Sequence, residues 1–149
     1  MNGKIVVSNE DLEAVYRKLS GTVQSGIDYV AIGCPHLDIE EMKEVAVALE
    51  KKGKRIDPGV KFWVFTSREI KARADALGYS RRITEKGGEI ICNTCVVSSH
   101  MENFGLRTVA TNSAKAAHYM PSLLDLDVFF GTLEECIEAA IRGRWSRAN

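Results

Sequence analysis

The chain has no net charge, few histidines and prolines, and no long apolar run. Lys plus Arg and Asp plus Glu each number 20 among 149 residues, so the formal net charge is zero. Domains that bind nucleic acid or anionic membranes through bulk charge are usually basic, and this balance argues against both. No apolar stretch approaches the roughly 20 residues that a membrane span requires. We therefore expect neither a nucleic-acid partner nor a membrane partner.

The start of the chain lacks the pattern of a secretory signal, since one lysine and a few apolar residues precede Ser8. The four cysteines are then expected to be reduced thiols in the cytoplasm. A length of 149 residues fits a single domain, 1–149, that buries its own core without disulfides. Metal binding and packing are the open alternatives for the cysteines.

Strand-like and helix-like segments alternate along the chain through short connections. Strands are predicted at 5–7, 27–32, 60–66, 89–92, 108–110 and 128–130. Helices are predicted to follow Ser8, Asp38, Ser67, Ser113 and Thr132, with a shorter one near 80–86, and to end near Gly21, Gly53, Gly78, Gly87 and Pro121. This alternation indicates βαβ units with right-handed crossovers. The predicted fold class is α/β, a three-layer, doubly wound and mostly parallel sheet with helices on both faces.

The loops between strands and helices carry most of the chemically active residues. In a parallel sheet these loops share the edge at the carboxyl ends of the strands, where α/β proteins build their sites. Four loops are expected to converge there, namely Cys34-Pro35-His36, Thr94-Cys95, Thr111-Asn112-Ser113-Ala114-Lys115 and Gly131-Thr132.

Cys34 and Cys95 each follow a predicted strand, which places both thiols at that edge. Thiolates are ligands for an iron–sulfur cluster or another soft metal, although two are too few to complete a site. The alternative for Cys34 is a small buried side chain beside a turn proline. His36 is a candidate for supporting a ligand or for acid–base chemistry, with a structural histidine as the alternative.

Cys92-Asn93-Thr94-Cys95 is a C-x-x-C motif, which raises zinc and dithiol redox chemistry as alternatives. A zinc ribbon requires a second pair, which the sequence lacks. A thioredoxin-like motif should open a helix, whereas Val96-Val97 predict an extended or buried segment. Cys92 is expected in the core, as is Cys136 on the apolar stripe of the last helix, which leaves Cys95 as the ligand candidate.

The segment around Ser113 and Lys115 opens a predicted helix. Free backbone N–H groups, hydroxyls and a lysine suit a phosphate or carboxylate, because a helix N-terminus favours anions. The alternative is an ordinary serine cap beside a solvated lysine. His118 is three residues after Lys115 and can share its face of the helix. No role is assigned to the polar loop 98–103.

Three segments together resemble the aconitase X family. They are Gly33-Cys34-Pro35-His36 with Glu40-Glu41, Asn93-Thr94-Cys95, and Thr111-Asn112-Ser113-Ala114-Lys115-Ala116-Ala117-His118-Tyr119. The resemblance covers nearly the whole chain but only the C-terminal part of the family's large subunit. It implies part of a hydro-lyase that dehydrates a small hydroxy acid of the 5-phosphomevalonate (mevalonate pathway) or cis-3-hydroxyproline type.

The resemblance also implies the cofactor. Cys34 and Cys95 match two of the three cysteines that hold the family's iron–sulfur cluster, while Asn93 stands where the family usually has aspartate. The third cysteine belongs to an upstream region of the large subunit that this sequence does not contain. A small, swivelling companion subunit normally completes the enzyme.

Substrate contacts are implied for the segment that opens the helix. Asn112, Ser113 and Lys115 match the family's substrate-binding positions, with Lys115 as the anion binder. Supporting roles beside these groups are expected for His36, Thr94 and His118. The catalytic residue itself is not identified.

The chain by itself is expected to be inactive and to expose an apolar surface where the missing region docks, with self-association or limited solubility. One alternative is a non-catalytic module that binds an anion or metal in the same crevice and regulates a partner. Another is a thiol redox protein that uses Cys92 and Cys95, which predicts a depressed thiol pKa and reversible disulfide formation.

Overall fold

A computed structural model describes residues 4–20, 26–99 and 101–146. The strands are β1 (Tyr29–Leu37), β2 (Lys61–Thr66), β3 (Gly88–Cys92), β4 (Thr108–Thr111) and β5 (Asp127–Phe130). The helices are α1 (Asn9–Leu19), α2 (Ile39–Lys52), α3 (Arg68–Ala76), α4 (Tyr79–Glu85), α5 (Ala114–Leu124) and α6 (Leu133–Arg142), with 3₁₀ turns η1 (Val96–Ser98) and η2 (Met101–Phe104).

The five strands form one parallel sheet in the order β3-β2-β1-β4-β5. Alternate side chains of the buried strands enter two separate cores, as Phe62 and Val64 face one side and Trp63 and Phe65 the other. Helices α2, α3, α4 and α6 cover the first face, and α5 with η1 and α1 covers the second. The predicted three-layer α/β architecture is confirmed.

Capping residues define the helix starts as the sequence predicts. Reciprocal capping boxes join Ser8 to Asp11, Asp38 to Glu41 and Thr132 to Glu135. Ser67 and Ser113 cap α3 and α5 by accepting the backbone N–H of the third residue that follows each of them. Gly21, predicted to end α1, lies outside the described residues.

Two element predictions were wrong. Residues 5–7 form no strand within the described segment 4–20. They pair with neither edge strand, β3 or β5, and their apolar side chains are exposed. Pro121 does not end α5, which continues to Leu124. A proline inside a helix loses one backbone hydrogen bond. Burial of Met120 and Leu124 against the second core offsets that loss.

The strand order creates a switch point beside β1, because β2 and β4 lie on its two sides. Ligands of doubly wound proteins bind at such a point, outside the carboxyl ends of the strands. Strand β1 runs past its predicted end at Ile32, but its register is irregular until Leu37 pairs with Thr66. The Thr66 hydroxyl donates to the Leu37 carbonyl at 2.7 Å. Residues 33–36 therefore bulge from the sheet at the switch point.

Candidate functional site

A cavity of about 430 Å³ opens at the carboxyl ends of the strands. Its wall consists of Gly33, Cys34, Pro35, His36, Cys95, Val97, Ser98, Lys115, Tyr119 and Leu123. Three of the four predicted loops therefore contribute to one cavity. Gly131 and Thr132, which follow β5, are not part of its wall, and Gly131 lies against Trp145. Two further surface cavities, between α2 and α6 and beside β3, have no cysteine or histidine among their described lining residues.

Glycine and serine hold the Cys34 loop in place. Gly33 has φ +107° and passes directly over the backbone of Phe65, a conformation and approach that only glycine allows. The peptide bond between Cys34 and Pro35 is cis. The Ser113 hydroxyl donates to the Cys34 carbonyl and accepts from the backbone N–H of Ala116 at 3.1 Å. The start of α5 is therefore tied to the loop that carries the first thiol.

His36 connects the two cysteine loops. Its Nε2 lies 2.6 Å from the carbonyl oxygen of Thr94. Because a carbonyl can only accept, Nε2 carries the proton and donates it to Thr94. Thr94 takes part in the site through its backbone, next to Cys95. The half-buried thiols of Cys34 and Cys95 are thus held on loops that contact each other.

The Cys95 thiol lies in surroundings that favour the thiolate. Its Sγ is 3.3 Å from the Ser98 hydroxyl. That hydrogen bond is the main cause that lowers the pKa of Cys95 below its ordinary value. Backbone N–H groups of η1 and the positive charge of Lys115 act in the same direction, while partial burial opposes them.

Replacement of Ser98 by alanine is expected to raise the pKa of the Cys95 thiol, because the largest thiolate-stabilising contact is removed. Alkylation of Cys95, followed peptide by peptide with iodoacetamide, should then accelerate at a higher pH than in the parent chain. Ser99→Ala is the matched control, since the Ser99 hydroxyl donates to the Val96 carbonyl and not to the thiol. An unchanged alkylation profile in Ser98→Ala would contradict this assignment.

Helix α5 presents Lys115, Tyr119 and Leu123 to the cavity at intervals of four residues. His118 was expected to share the face of Lys115. It packs edge-on against the Tyr119 ring, with the ring centroids 4.9 Å apart, but it is not among the residues of the cavity wall. A four-residue step stays closer to one face of this helix than the three-residue step that leads to His118. Asn112 is exposed and also lies outside the wall.

The other two cysteines are set apart from the cavity wall. Cys136 is fully buried, as expected, and burial raises the pKa of its thiol. Cys92 was expected in the core but is only half-buried, because β3 is an edge strand and Cys92 is its last residue. The short 3₁₀ turn η1, with Val96 buried, follows Cys95 where a thioredoxin-like motif would open an α-helix.

The sequence analysis missed four residues of the cavity wall that the fold brings there, namely Val97, Ser98, Tyr119 and Leu123. Ser98 belongs to the loop with no assigned role, of which His100 lies outside the described residues. Tyr119 and Leu123 could have been found by extending the four-residue spacing from Lys115 along the helix.

The donor set fits part of a soft-metal centre. No group of three or more His, Cys, Asp or Glu side chains is arranged to hold a metal ion among residues 4–20, 26–99 and 101–146. Two thiols nevertheless line the same cavity, one of them in surroundings that favour the thiolate. Thiolate sulfur suits iron–sulfur clusters. Two thiols fit part of such a group but do not complete its coordination.

None of the helices in the described part of the chain is long and apolar enough to cross a membrane.

Comparison with known proteins gives consistent matches over most of the chain. The family model for the aconitase X third domain matches residues 27–142. The phosphomevalonate dehydratase large subunit of Methanocaldococcus jannaschii is 40% identical over 135 residues, which cover 91% of this chain and 32% of that protein. The cis-3-hydroxy-L-proline dehydratase of Pseudomonas aeruginosa is 35% identical over 140 residues, which cover 93% of this chain and 24% of the relative.

The fold agrees with a solved structure of the same type. The crystal structure of Thermococcus kodakaraensis aconitase X in its holo-form matches with a TM-score of 0.82 and 38% sequence identity, over 91% of this chain and 34% of the other. The chain thus spans about a third or less of the length of these relatives. The two curated relatives are dehydratases, that is, hydro-lyases. The resemblance noted in the sequence is confirmed, and the chain belongs to the aconitase X family through a match to its third domain.

Proposed function

We propose that this chain acts, as one domain of residues 1–149, within a cytoplasmic aconitase X hydro-lyase. The substrate would be a small hydroxy acid of the 5-phosphomevalonate or cis-3-hydroxyproline type, the substrates that the relatives' names indicate. The observation that carries this proposal is the meeting of Cys34, Cys95 and Lys115 in one cavity at the switch point. The remaining part of a large subunit and a small subunit would complete the assembly.

Cys34 and Cys95 would hold an iron–sulfur cluster. This role is supported by their shared cavity and by the contacts that tie their loops together, from His36 to Thr94 and from Ser113 to Cys34. When bound, the cluster would supply a Lewis-acidic iron for the substrate's hydroxyl or carboxylate. His36 keeps the two cysteine loops in register and so positions both thiols. The third cysteine ligand would come from another part of the large subunit.

Lys115 would bind the anionic end of the substrate. Lys115 lies in the first turn of α5 and lines the cavity, and the helix N-terminus also favours negative charge there. Asn112, directly before the capping serine, would add a polar contact once substrate and partner enclose the loop. Ser113 would act through position, since its hydroxyl already contacts Cys34 and Ala116. No residue of this chain is proposed as the base that removes the adjacent proton.

Lys115→Ala is expected to raise the KM for the substrate by about tenfold to a hundredfold, because a charge-assisted contact contributes about 1.5–3 kcal/mol. The measurement is substrate-dependent dehydration by the assembled enzyme. Lys61→Ala is the control, since Lys61 lies at the opposite end of the sheet beside Glu89. Equal KM values for Lys115→Ala and the parent enzyme would remove the anion-binding role.

The proposed function is tested by assembly under anaerobic conditions. This chain is combined with the unmatched remainder of the M. jannaschii large subunit and its small subunit, then supplied with iron and sulfide. We expect iron and acid-labile sulfide to be retained after gel filtration. An assembly that forms without retaining either would refute the cluster-binding role and favour the non-catalytic alternative.

A further inference from the structure

Exposed apolar side chains are concentrated on one side of the domain. Nine large apolar side chains of the described residues are exposed, and one of them, Leu77, lies at the end of α3 on the first face. The other eight belong to α5, η2, α1 and the segment that leads into α1. Five of them lie on elements that pack on the second core, namely Leu12, Val15, Phe104, Tyr119 and Leu123, and Ile5, Val6 and Val7 precede α1. We call the surface formed by those five the α5 face.

Helix α1 has an apolar face that this chain does not fully cover. Tyr16 stacks on Phe130 with ring centroids 4.7 Å apart, yet none of the 11 residues of α1 is buried. Leu12 and Val15 are 52% and 49% exposed on the same amphipathic helix. A helix this short is marginal in water without tertiary packing. The exposed apolar side chains of α1 therefore indicate that a further protein surface packs against this helix.

The α5 face is continuous with the cavity. Tyr119 and Leu123 belong to both, being 45% and 60% exposed while they line the wall with Cys34, Cys95 and Lys115. A protein domain that covers Leu123 would therefore also close the cavity from that side. It would lie beside the two thiols, which belong to no group of three or more metal-binding side chains among the described residues.

We infer that the α5 face is the docking surface for the preceding domains of an aconitase X large subunit, an inference that rests on the proposed function. The matched segment is the third domain of its family, and it covers 32% and 34% of two relatives, so about two thirds of such a subunit must be placed around it. The opposite face is already covered by four helices and exposes only Leu77 among its described large apolar residues. Docking on the α5 face also brings the partner to the open thiols.

The test uses this chain with an affinity tag, coexpressed with the part of the M. jannaschii large subunit that it does not match. The parent chain should recover that part in equimolar amount. Leu123→Lys should lower the recovery by about tenfold or more, because an unpaired charge would be buried in the interface. Leu77→Lys is the matched control. Leu123 is 60% exposed and Leu77 is 56% exposed, so the two variants place the same charge at similarly exposed positions on opposite faces.

The outcomes separate the docking inference from the proposed function. Equal loss in both variants, equal retention in both, or an assembly of this chain only with itself would overturn the α5 face as the docking surface. Failure of the parent chain to recover the coexpressed part would overturn it too. A complex sensitive only to Leu123→Lys that holds no iron or sulfide would uphold docking and refute the proposed function. Slower amide hydrogen exchange in α1 and α5, but not in α3, would support docking independently.

Discussion

Replacement of Cys34 by serine is expected to lower the iron and labile sulfide of the assembled enzyme by about tenfold or more, because a soft thiolate ligand is lost from an iron–sulfur site. Serine keeps the size of the side chain, and its hydroxyl stays protonated near neutral pH. Cys34 is half-buried in the cavity wall, so the exchange should leave the fold intact. Cys95→Ser should have the same effect on both contents. The measurement is metal and sulfide analysis after anaerobic gel filtration, with circular dichroism as the check on folding.

Cys92→Ser is the matched control for both cysteine variants. Cys92 is also half-buried and belongs to the same C-x-x-C motif as Cys95, but it lies outside the cavity wall. Its replacement should leave the iron content unchanged. Equal loss of iron in Cys92→Ser and Cys95→Ser would contradict the assignment of ligands.

Gly33→Ala is expected to destabilise the chain by about 3 kcal/mol or more, because a strained backbone conformation and an overpacked contact act together. Gly33 has φ +107°, and an added Cβ would lie 3.1 Å from the Phe65 nitrogen and closer still to the Phe65 carbonyl oxygen. Neither backbone atom can move without disturbing β2. Urea unfolding followed by circular dichroism gives the free energy of unfolding.

Gly53→Ala separates conformational strain from the clash. Gly53 also has a positive φ, +66°, but an added Cβ there would meet nothing within 4 Å. Its replacement should cost about 1 kcal/mol, the strain of a left-handed conformation alone. If Gly33→Ala costs no more than Gly53→Ala, the close approach of Gly33 to Phe65 is not what fixes the Cys34 loop.

The fold could be predicted where local chemistry sets it. Capping residues such as Asp38 with Glu41 and Thr132 with Glu135 mark helix starts through contacts within one turn. The prediction that Pro121 ends α5 was wrong because it considered only the local effect of proline on a helix. It did not include the packing of Met120 in the second core. The bulge before Leu37 could not be foreseen either, since it depends on pairing with Thr66, which is distant in sequence.

Part of the candidate site could be predicted from the general geometry of parallel sheets. Parallel strands place the residues that follow them at one edge, which brings Cys34, Cys95 and Lys115 together without knowledge of strand order. The exposure of Cys92 depends on strand order, which leaves the end of β3 at the edge of the sheet. The sequence does not contain that order in any local pattern.

The central claim is that this chain contributes part of the catalytic centre of a hydro-lyase, and turnover by the complete assembly tests it most directly. The chain is assembled anaerobically with the remainder of the M. jannaschii large subunit and the small subunit, and 5-phosphomevalonate or cis-3-hydroxy-L-proline is supplied. We predict dehydration of one of the two substrates that requires this chain and is lost with Cys34→Ser. Turnover that persists in the Cys34→Ser assembly, or an iron-loaded assembly that dehydrates neither substrate, would contradict the account.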